Sequence, residues 1–322
     1  MPVSYETPLT KMLGIKYPII QAPMFLVSNV AMVKAAVNSG ITGAIPALNY
    51  RTIEELETAI QTLKSECDGP FGINLIVNKS NFKYREQLEV CCRLKVDFLI
   101  TSLGSPEETI RQAHKAGVKV FCDVTTVEYA KRVEALGCDA IIAVNKEAGG
   151  HAGNISSQDF IPQLKAACNI PIISAGGVGD YESLQQVLET GADGVSVGSI
   201  FIATDEAPVN IEYKQAIVDY KASDIVLTTK LSGSPCTVIN TPYVKEIGTQ
   251  QNSLERFLNK NKRFKKWMKA FTFIKGMKNL QKAAFSATYK TLWCAGPTIE
   301  YVDKIKPVRE VVQQLITPNG SK

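Results

Sequence analysis

The sequence predicts an α/β protein, a (β/α)8 TIM barrel with a mostly helical C-terminal insertion or cap, on three observations. Eight short apolar or β-branched runs alternate with amphipathic stretches between residues 18 and 197, which is the rhythm of βαβ units. A Gly-Gly pair follows the seventh of those runs and a Gly-Ser pair the eighth, where barrels commonly hold phosphate groups. The first run is followed by Ala22-Pro23-Met24-Phe25, too bulky and stiff for the glycine-rich turn that a dinucleotide-binding doubly wound sheet needs there.

Taken in order, the expected strands are 18–21, 42–46, 71–76, 98–101, 119–123, 140–144, 171–175 and 194–197. Helical patterns fill the intervals, notably 52–65, 106–116, 126–136 and 181–190. Gly117, Gly137 and Gly191 each stand where a helix would end, since glycine accepts the left-handed backbone of a helix C-terminus. After Ile200 the rhythm stops. A further helix is expected over 209–221, and a last one over 306–316 that packs back on the barrel. The division that follows is a barrel of 1–222 completed by 299–322, with a basic insertion or cap at 223–298.

With 45% hydrophobic and 21% charged residues in 322, the chain has material for one large core, and disorder is not expected. Residues 1–16 carry no apolar leader, and no run of about 18 uncharged apolar residues occurs, so the expectation is a cytoplasmic protein with no membrane span. The eight cysteines show no C-x-x-C spacing, and only His114 and His151 are present. No metal site is expected, and the thiols are expected to be reduced. The stretch 255–290 holds eleven Lys or Arg against one acid. Its aromatic and apolar residues recur every three or four positions, as in an amphipathic helix with a solvated lysine face. No nucleic-acid recognition motif accompanies that charge.

Three segments could carry chemistry. Ala175-Gly176-Gly177 and Gly198-Ser199 offer backbone amides without side-chain obstruction, which a phosphate needs. Asp180 would cap the helix that follows the first pair. After the sixth strand comes Asn145-Lys146-Glu147-Ala148-Gly149-Gly150-His151-Ala152-Gly153. Its glycines let the backbone pass close to a ligand while the imidazole of His151, which titrates near neutrality, serves as a general base or positions substrate. Asn74, near the end of an apolar strand, either bonds a ligand ring or is structural. His114 falls on the polar side of a helix and is expected to be solvated.

These motifs resemble the nitronate monooxygenase family, once called 2-nitropropane dioxygenases, and the related flavin-dependent enoyl-acyl-carrier-protein reductases. The likeness runs in the family's order through Pro18-Ile19-Ile20-Gln21-Ala22-Pro23-Met24, Pro70-Phe71-Gly72-Ile73-Asn74-Leu75, the Gly-Gly-His segment, both glycine pairs and, faintly, Trp293-Cys294-Ala295-Gly296. The resemblance implies non-covalent FMN. Ala22, Pro23 and Met24 would lie along its ring, and Asn74 would bond the ring's polar edge. Ala175, Gly176, Gly177, Gly198 and Ser199 would hold its phosphate. Gly149, Gly150 and Gly153 would line the pocket, with His151 as the active-site histidine. It further implies oxidation of alkyl nitronates or nitroalkanes by oxygen to a carbonyl compound and nitrite. The alternative is an NAD(P)H-dependent reductase of enoyl-acyl-carrier-protein or quinone, its segment 255–290 docking an acidic carrier protein or a second copy of the chain. Two departures stand out. Gly198-Ser199-Ile200-Phe201 replaces the Gly-Thr-Arg-Phe of many relatives, and Asp123 stands where some carry lysine.

Overall fold

The computed structural model describes residues 3–78, 81–230, 235–250 and 292–318. Eight parallel strands close into a barrel in sequence order: β1 Ile19–Gln21, β2 Thr42–Pro46, β3 Phe71–Ile76, β4 Phe98–Ser102, β5 Lys119–Val124, β6 Ala140–Val144, β7 Ile172–Ala175 and β8 Gly194–Val197. Strand β8 returns to β1 with Val195 opposite Ile19 and Val197 opposite Gln21. Each strand lies within one residue of the range expected from the sequence at either end.

Alternate residues along the strands divide the core in two, because a strand turns successive side chains to opposite faces. Ile20, Ala44, Phe98, Ile100, Phe121, Ala140, Ile142 and Ile173 fill the barrel interior, together with Leu9 and Leu13 from α1 (Pro8–Leu13). Phe98 and Phe121 stack there with ring centroids 4.8 Å apart. Gly72 makes that packing possible, since a Cβ at this position would come within 2.2 Å of the Phe98 ring. Outward-facing residues such as Ile19, Ile45 and Ile73 join the larger core under the helices. Each such burial contributes roughly 1.5–3 kcal/mol.

The outer helices are α2 Val30–Asn38, α3 Ile53–Glu66, α4 Tyr84–Arg93, α5 Glu107–Lys115, α6 Val127–Ala135, α7 Ser157–Ala167, α8 Tyr181–Glu189 and α9 Ile211–Asp219. Their ends follow local chemistry. Thr52 and Glu55 form a capping box at the start of α3, Asp180 accepts from the Ser183 amide at 2.9 Å to start α8, and Gly117, Gly137 and Gly191 have φ of +76°, +90° and +95°.

Beyond the barrel, an antiparallel ribbon pairs β9 Ile225–Thr228 with β10 Cys236–Ile239, followed by the short helix α10 Pro242–Ile247. This ribbon was not anticipated, although the β-branched runs Ile225-Val226 and Thr237-Val238-Ile239 are its signal. Residues 251–291, including the basic amphipathic stretch, lie outside the described residues. The last helix, α11 Val308–Ile316, buries Val308, Val311, Val312 and Leu315 in the same core as α2 and α8, so it packs back on the barrel as expected.

Candidate active site

A cavity of about 1030 Å³ opens at the C-terminal ends of the strands. Its walls include Ala22, Pro23 and Met24 after β1, Asn74 on β3, and Gly149, Gly150 and His151 after β6. They also include Ala175, Gly176 and Gly177 at β7 and Gly198 and Ser199 after β8. Gly153 is the exception among the residues proposed from the sequence. Its amide donates to the Asn145 carbonyl at 3.0 Å, and a Cβ there would sit 2.2 Å from the Val144 carbonyl oxygen. It is needed to press the loop onto the end of β6, and it does not line the cavity.

The turn after β7 depends on a residue the sequence reading passed over. Asn145, fully buried, donates from Nδ2 to Ser174 Oγ at 3.2 Å and to the Gly176 carbonyl at 3.1 Å. Its Oδ1 accepts from the Glu147 amide at 3.0 Å. Gly176 and Gly177 have φ of +113° and +83°, and a Cβ on Gly176 would lie 2.2 Å from Asn145 Oδ1 and 2.4 Å from the Ala148 nitrogen. Close approach and backbone conformation both require glycine here.

The turn after β8 stands beside the turn after β1. A Cβ on Gly198 would lie 3.4 Å from Met24 Sδ and 3.7 Å from Ala22 Cβ. The β1 turn is itself held by Gln21, whose Nε2 donates to Ser28 Oγ at 2.8 Å, while that same oxygen accepts from the Met24 amide at 2.9 Å. Ser199 Oγ accepts from the Gly296 amide at 2.8 Å. Gly149 fits against both, since a Cβ on it would be 2.7 Å from Ser199 Oγ and 2.9 Å from the Gly296 nitrogen. The faint motif at 293–296 is thus part of the site. Trp293 stacks on Tyr213 with centroids 5.8 Å apart, and the Tyr213 hydroxyl donates to the Cys294 carbonyl. Two side-chain-free turns and one hydroxyl on a common wall fit a phosphate group.

Across the mouth, three strand ends share a polar chain. Asn74 Nδ2 donates to the Ile100 carbonyl at 3.1 Å and to Ser102 Oγ at 2.8 Å, and Ser102 Oγ donates to Asp123 Oδ2 at 2.5 Å. Asn74 is therefore structural through its nitrogen, while Oδ1 is the atom left for a ligand donor. Burial pushes the Asp123 carboxyl up to about 6, against the smaller opposing effect of the Ser102 hydrogen bond.

His151 stands at the cavity mouth. Its ring is solvent-accessible at one side, yet the surrounding loops desolvate it enough to lower its pKa below the usual histidine range, favouring the neutral, proton-accepting form. The preceding residue is pinned by the ribbon. The Gly150 amide donates to Thr237 Oγ1 and the Thr237 amide donates to the Gly150 carbonyl, each at 2.8 Å. His114 lies elsewhere, its Nε2 2.8 Å from Asp139 Oδ2 on the exposed outside of the barrel. Among the described residues no group of three or more His, Cys, Asp or Glu could hold a metal ion, and no helix is long and apolar enough to cross a membrane.

Fold and cavity define the class, a (β/α)8 barrel with a small-molecule site at the C-terminal ends of its strands. More particularly, the chain belongs to the nitronate monooxygenase family, whose model matches residues 6–318. It is 31% identical over 242 residues to a Rhodococcus jostii (3aS,4S,5R,7aS)-5-hydroxy-7a-methyl-1-oxo-octahydro-1H-indene-4-carboxyl-CoA dehydrogenase, covering 75% of this chain and 68% of that one. A probable nitronate monooxygenase from Staphylococcus haemolyticus is 29% identical over 295 residues, covering 78% and 82%. Among solved structures, FabK from Thermotoga maritima superposes with a TM-score of 0.84 at 27% identity, covering 97% of this chain and 96% of that one.

Proposed function

We propose that this enzyme oxidises alkyl nitronates with molecular oxygen, yielding a carbonyl compound and nitrite, with FMN as its cofactor. The observation that carries this reading is the convergence of His151, both glycine turns and Ala22-Pro23-Met24 on one cavity. Bound FMN would supply a ring that accepts and returns one or two electrons. Gly176, Gly177, Gly198 and Ser199 would hold its phosphate through backbone amides and one hydroxyl. Ala22, Pro23 and Met24 would give the ring an apolar wall, and Asn74 Oδ1 would accept from its polar edge. Gly149 and Gly150 bring the backbone close enough for His151 to reach a substrate beside that ring. Neutral His151 removes the α-proton of a neutral nitroalkane, which prepares the nitronate. Oxygen consumption with stoichiometric nitrite from propionate 3-nitronate or 2-nitropropane tests the proposal, and no turnover of either removes it.

The likeness to FabK and the generous cavity favour a second reading, an NAD(P)H-dependent reductase of enoyl thioesters or quinones. In that case the basic stretch 255–290 would dock an acidic carrier protein, since complementary charge steers encounter, or make a contact between two copies of the chain. Rapid anaerobic bleaching of the flavin by NADPH would favour this reading, and a flavin left oxidised by both NADH and NADPH would end it. Under either reading we place the enzyme in the cytoplasm and treat 223–298 as the cap that selects substrate.

A further inference from the structure

We propose that Asp123 sets the reduction potential of the FMN inferred above, its carboxylate lowering that potential by placing an unpaired negative charge beside the ring; the inference rests on that cofactor reading and not on the choice of substrate. Strand geometry aims the side chain. Phe121 fills the barrel interior, and successive side chains of a strand turn to opposite faces. Asp123, two residues further along β5, therefore points into the same interior one layer higher, where it lines the cavity. Ile100 and Ser102 of β4 follow the same rule.

The hydrogen bonds of this layer have a direction. The Ile100 carbonyl carries no proton, so the Asn74 atom 3.1 Å from it is the amide nitrogen. That nitrogen also donates to Ser102 Oγ at 2.8 Å, and the single Ser102 hydroxyl proton goes to Asp123 Oδ2 at 2.5 Å, an arrangement that suits an ionised carboxylate. The carboxyl thus stands two hydrogen bonds from the Asn74 amide, whose Oδ1 is the acceptor for the polar edge of the ring. A charge there opposes the addition of electrons to the ring, and in a cavity wall it is screened less than in water.

Among the described residues no ion pair offsets this carboxylate. Glu147, another carboxylate of the cavity wall, differs. Its Oε1 lies 3.9 Å from Lys146 Nζ, and its Oε2 accepts from the amide of Ser157 at the start of α7 at 3.3 Å, so a cation and a helix N-terminus both meet its charge. The groups facing Asp123 are Ser102 of β4 and, from α6, Tyr129 and Arg132, with His151 and Glu147 on the loop after β6. Arg132 is exposed, where water screens its charge. Burial raises the Tyr129 pKa, so that hydroxyl stays neutral. Because burial lifts the Asp123 carboxyl to about 6, it is ionised at about pH 8 and protonated at about pH 5.

The test measures the two-electron reduction potential of the flavin-loaded protein by slow anaerobic reduction against a reference dye. Asp123→Asn keeps an oxygen for Ser102 and removes the charge. At about pH 8 its potential should stand at least about 30 mV above that of the unaltered protein, a tenfold change in the two-electron equilibrium. At about pH 5, where the carboxyl is neutral, the two should converge. Ser102→Ala breaks the link to Asn74 but leaves the charge, so its potential should stay with that of the unaltered protein. His151 is common to all three proteins, and its own titration cancels in the comparison. Potentials of the unaltered protein and Asp123→Asn that coincide at the higher pH, or a Ser102→Ala shift as large as that of Asp123→Asn, would overturn the proposal. A protein that binds no FMN would end both this proposal and the cofactor reading, whereas the expected gap without nitronate turnover would end the nitronate reading alone.

Discussion

Thr237 and Gly150 hold each other by two hydrogen bonds of 2.8 Å, one from each backbone amide. They are separated by 87 residues in sequence. Through this pair the ribbon outside the barrel sets the backbone one residue before His151, so a part of the chain with no obvious role in catalysis determines where the imidazole sits.

Thr237→Val keeps the shape and the β10 backbone bond but removes the acceptor for the Gly150 amide. A hydrogen bond of this kind is worth about 0.5–1.5 kcal/mol net. We expect kcat to fall roughly 2- to 10-fold with flavin content unchanged, measured by steady-state nitrite release and visible absorbance.

His151→Ala should retain flavin yet lower turnover of neutral nitroalkanes by about 100-fold or more, the scale of a lost proton-transfer group. Preformed nitronates, which need no deprotonation, should lose much less. Because desolvation lowers the His151 pKa, the acidic limb of kcat/KM on nitroalkanes should have its midpoint below about 6.5. That limb should vanish in His151→Ala and persist in Asp123→Asn.

Alanine at the two adjacent glycines should separate close packing from backbone strain. At Gly177 the new Cβ meets nothing nearer than 3.4 Å, from Glu147 Cβ, leaving the left-handed backbone as the cost, on the order of 1 kcal/mol. At Gly176 the Cβ also collides with Asn145 and Ala148. Gly176→Ala should purify with little or no flavin and a lower melting temperature, whereas Gly177→Ala should keep most of its flavin. Both are read by the ratio of visible to ultraviolet absorbance and by thermal unfolding.

Asp123 should make stability fall as pH rises. Its folded pKa, about 6, lies above the ordinary 3.8, so the folded state holds the proton more tightly than the unfolded one. The associated stability is fully present below about pH 4 and is lost as pH climbs through 6. Two pH units at about 1.4 kcal/mol each set a ceiling of about 3 kcal/mol. Tyr129 and Arg132 of α6 line the same part of the cavity, and the Arg132 charge would reduce the effect. Asp123→Asn keeps an oxygen for Ser102 and should flatten the dependence of melting temperature on pH between 4 and 7.

The strands and the barrel helices were legible because their signals are local. Period-two apolar runs, Asp180 as a cap and glycines at helix ends act over a few residues, and the structure places each where the sequence put it. Gly153 misled for a related reason: a glycine required for close packing and one that lines a cavity look alike in sequence. The role of Asn145 is not legible because two of its partners, Ser174 and Gly176, stand 29 and 31 residues away and come within reach only when β6 and β7 are paired. The ribbon is not legible in the sequence because its two strands are only four residues each, too short for an alternating pattern to register.

The sequence by itself determined the barrel, its order of strands and the ring of residues at its mouth, since alternation along each strand and the glycine turns at its end are properties of neighbouring residues. Tertiary structure alone decided which of those residues share the cavity, that Thr237 and Gly296 brace the His151 loop, and that Asp123 is desolvated. Contacts across 87 or 97 residues, and the water excluded around a carboxyl, come into being only when distant segments close on one another.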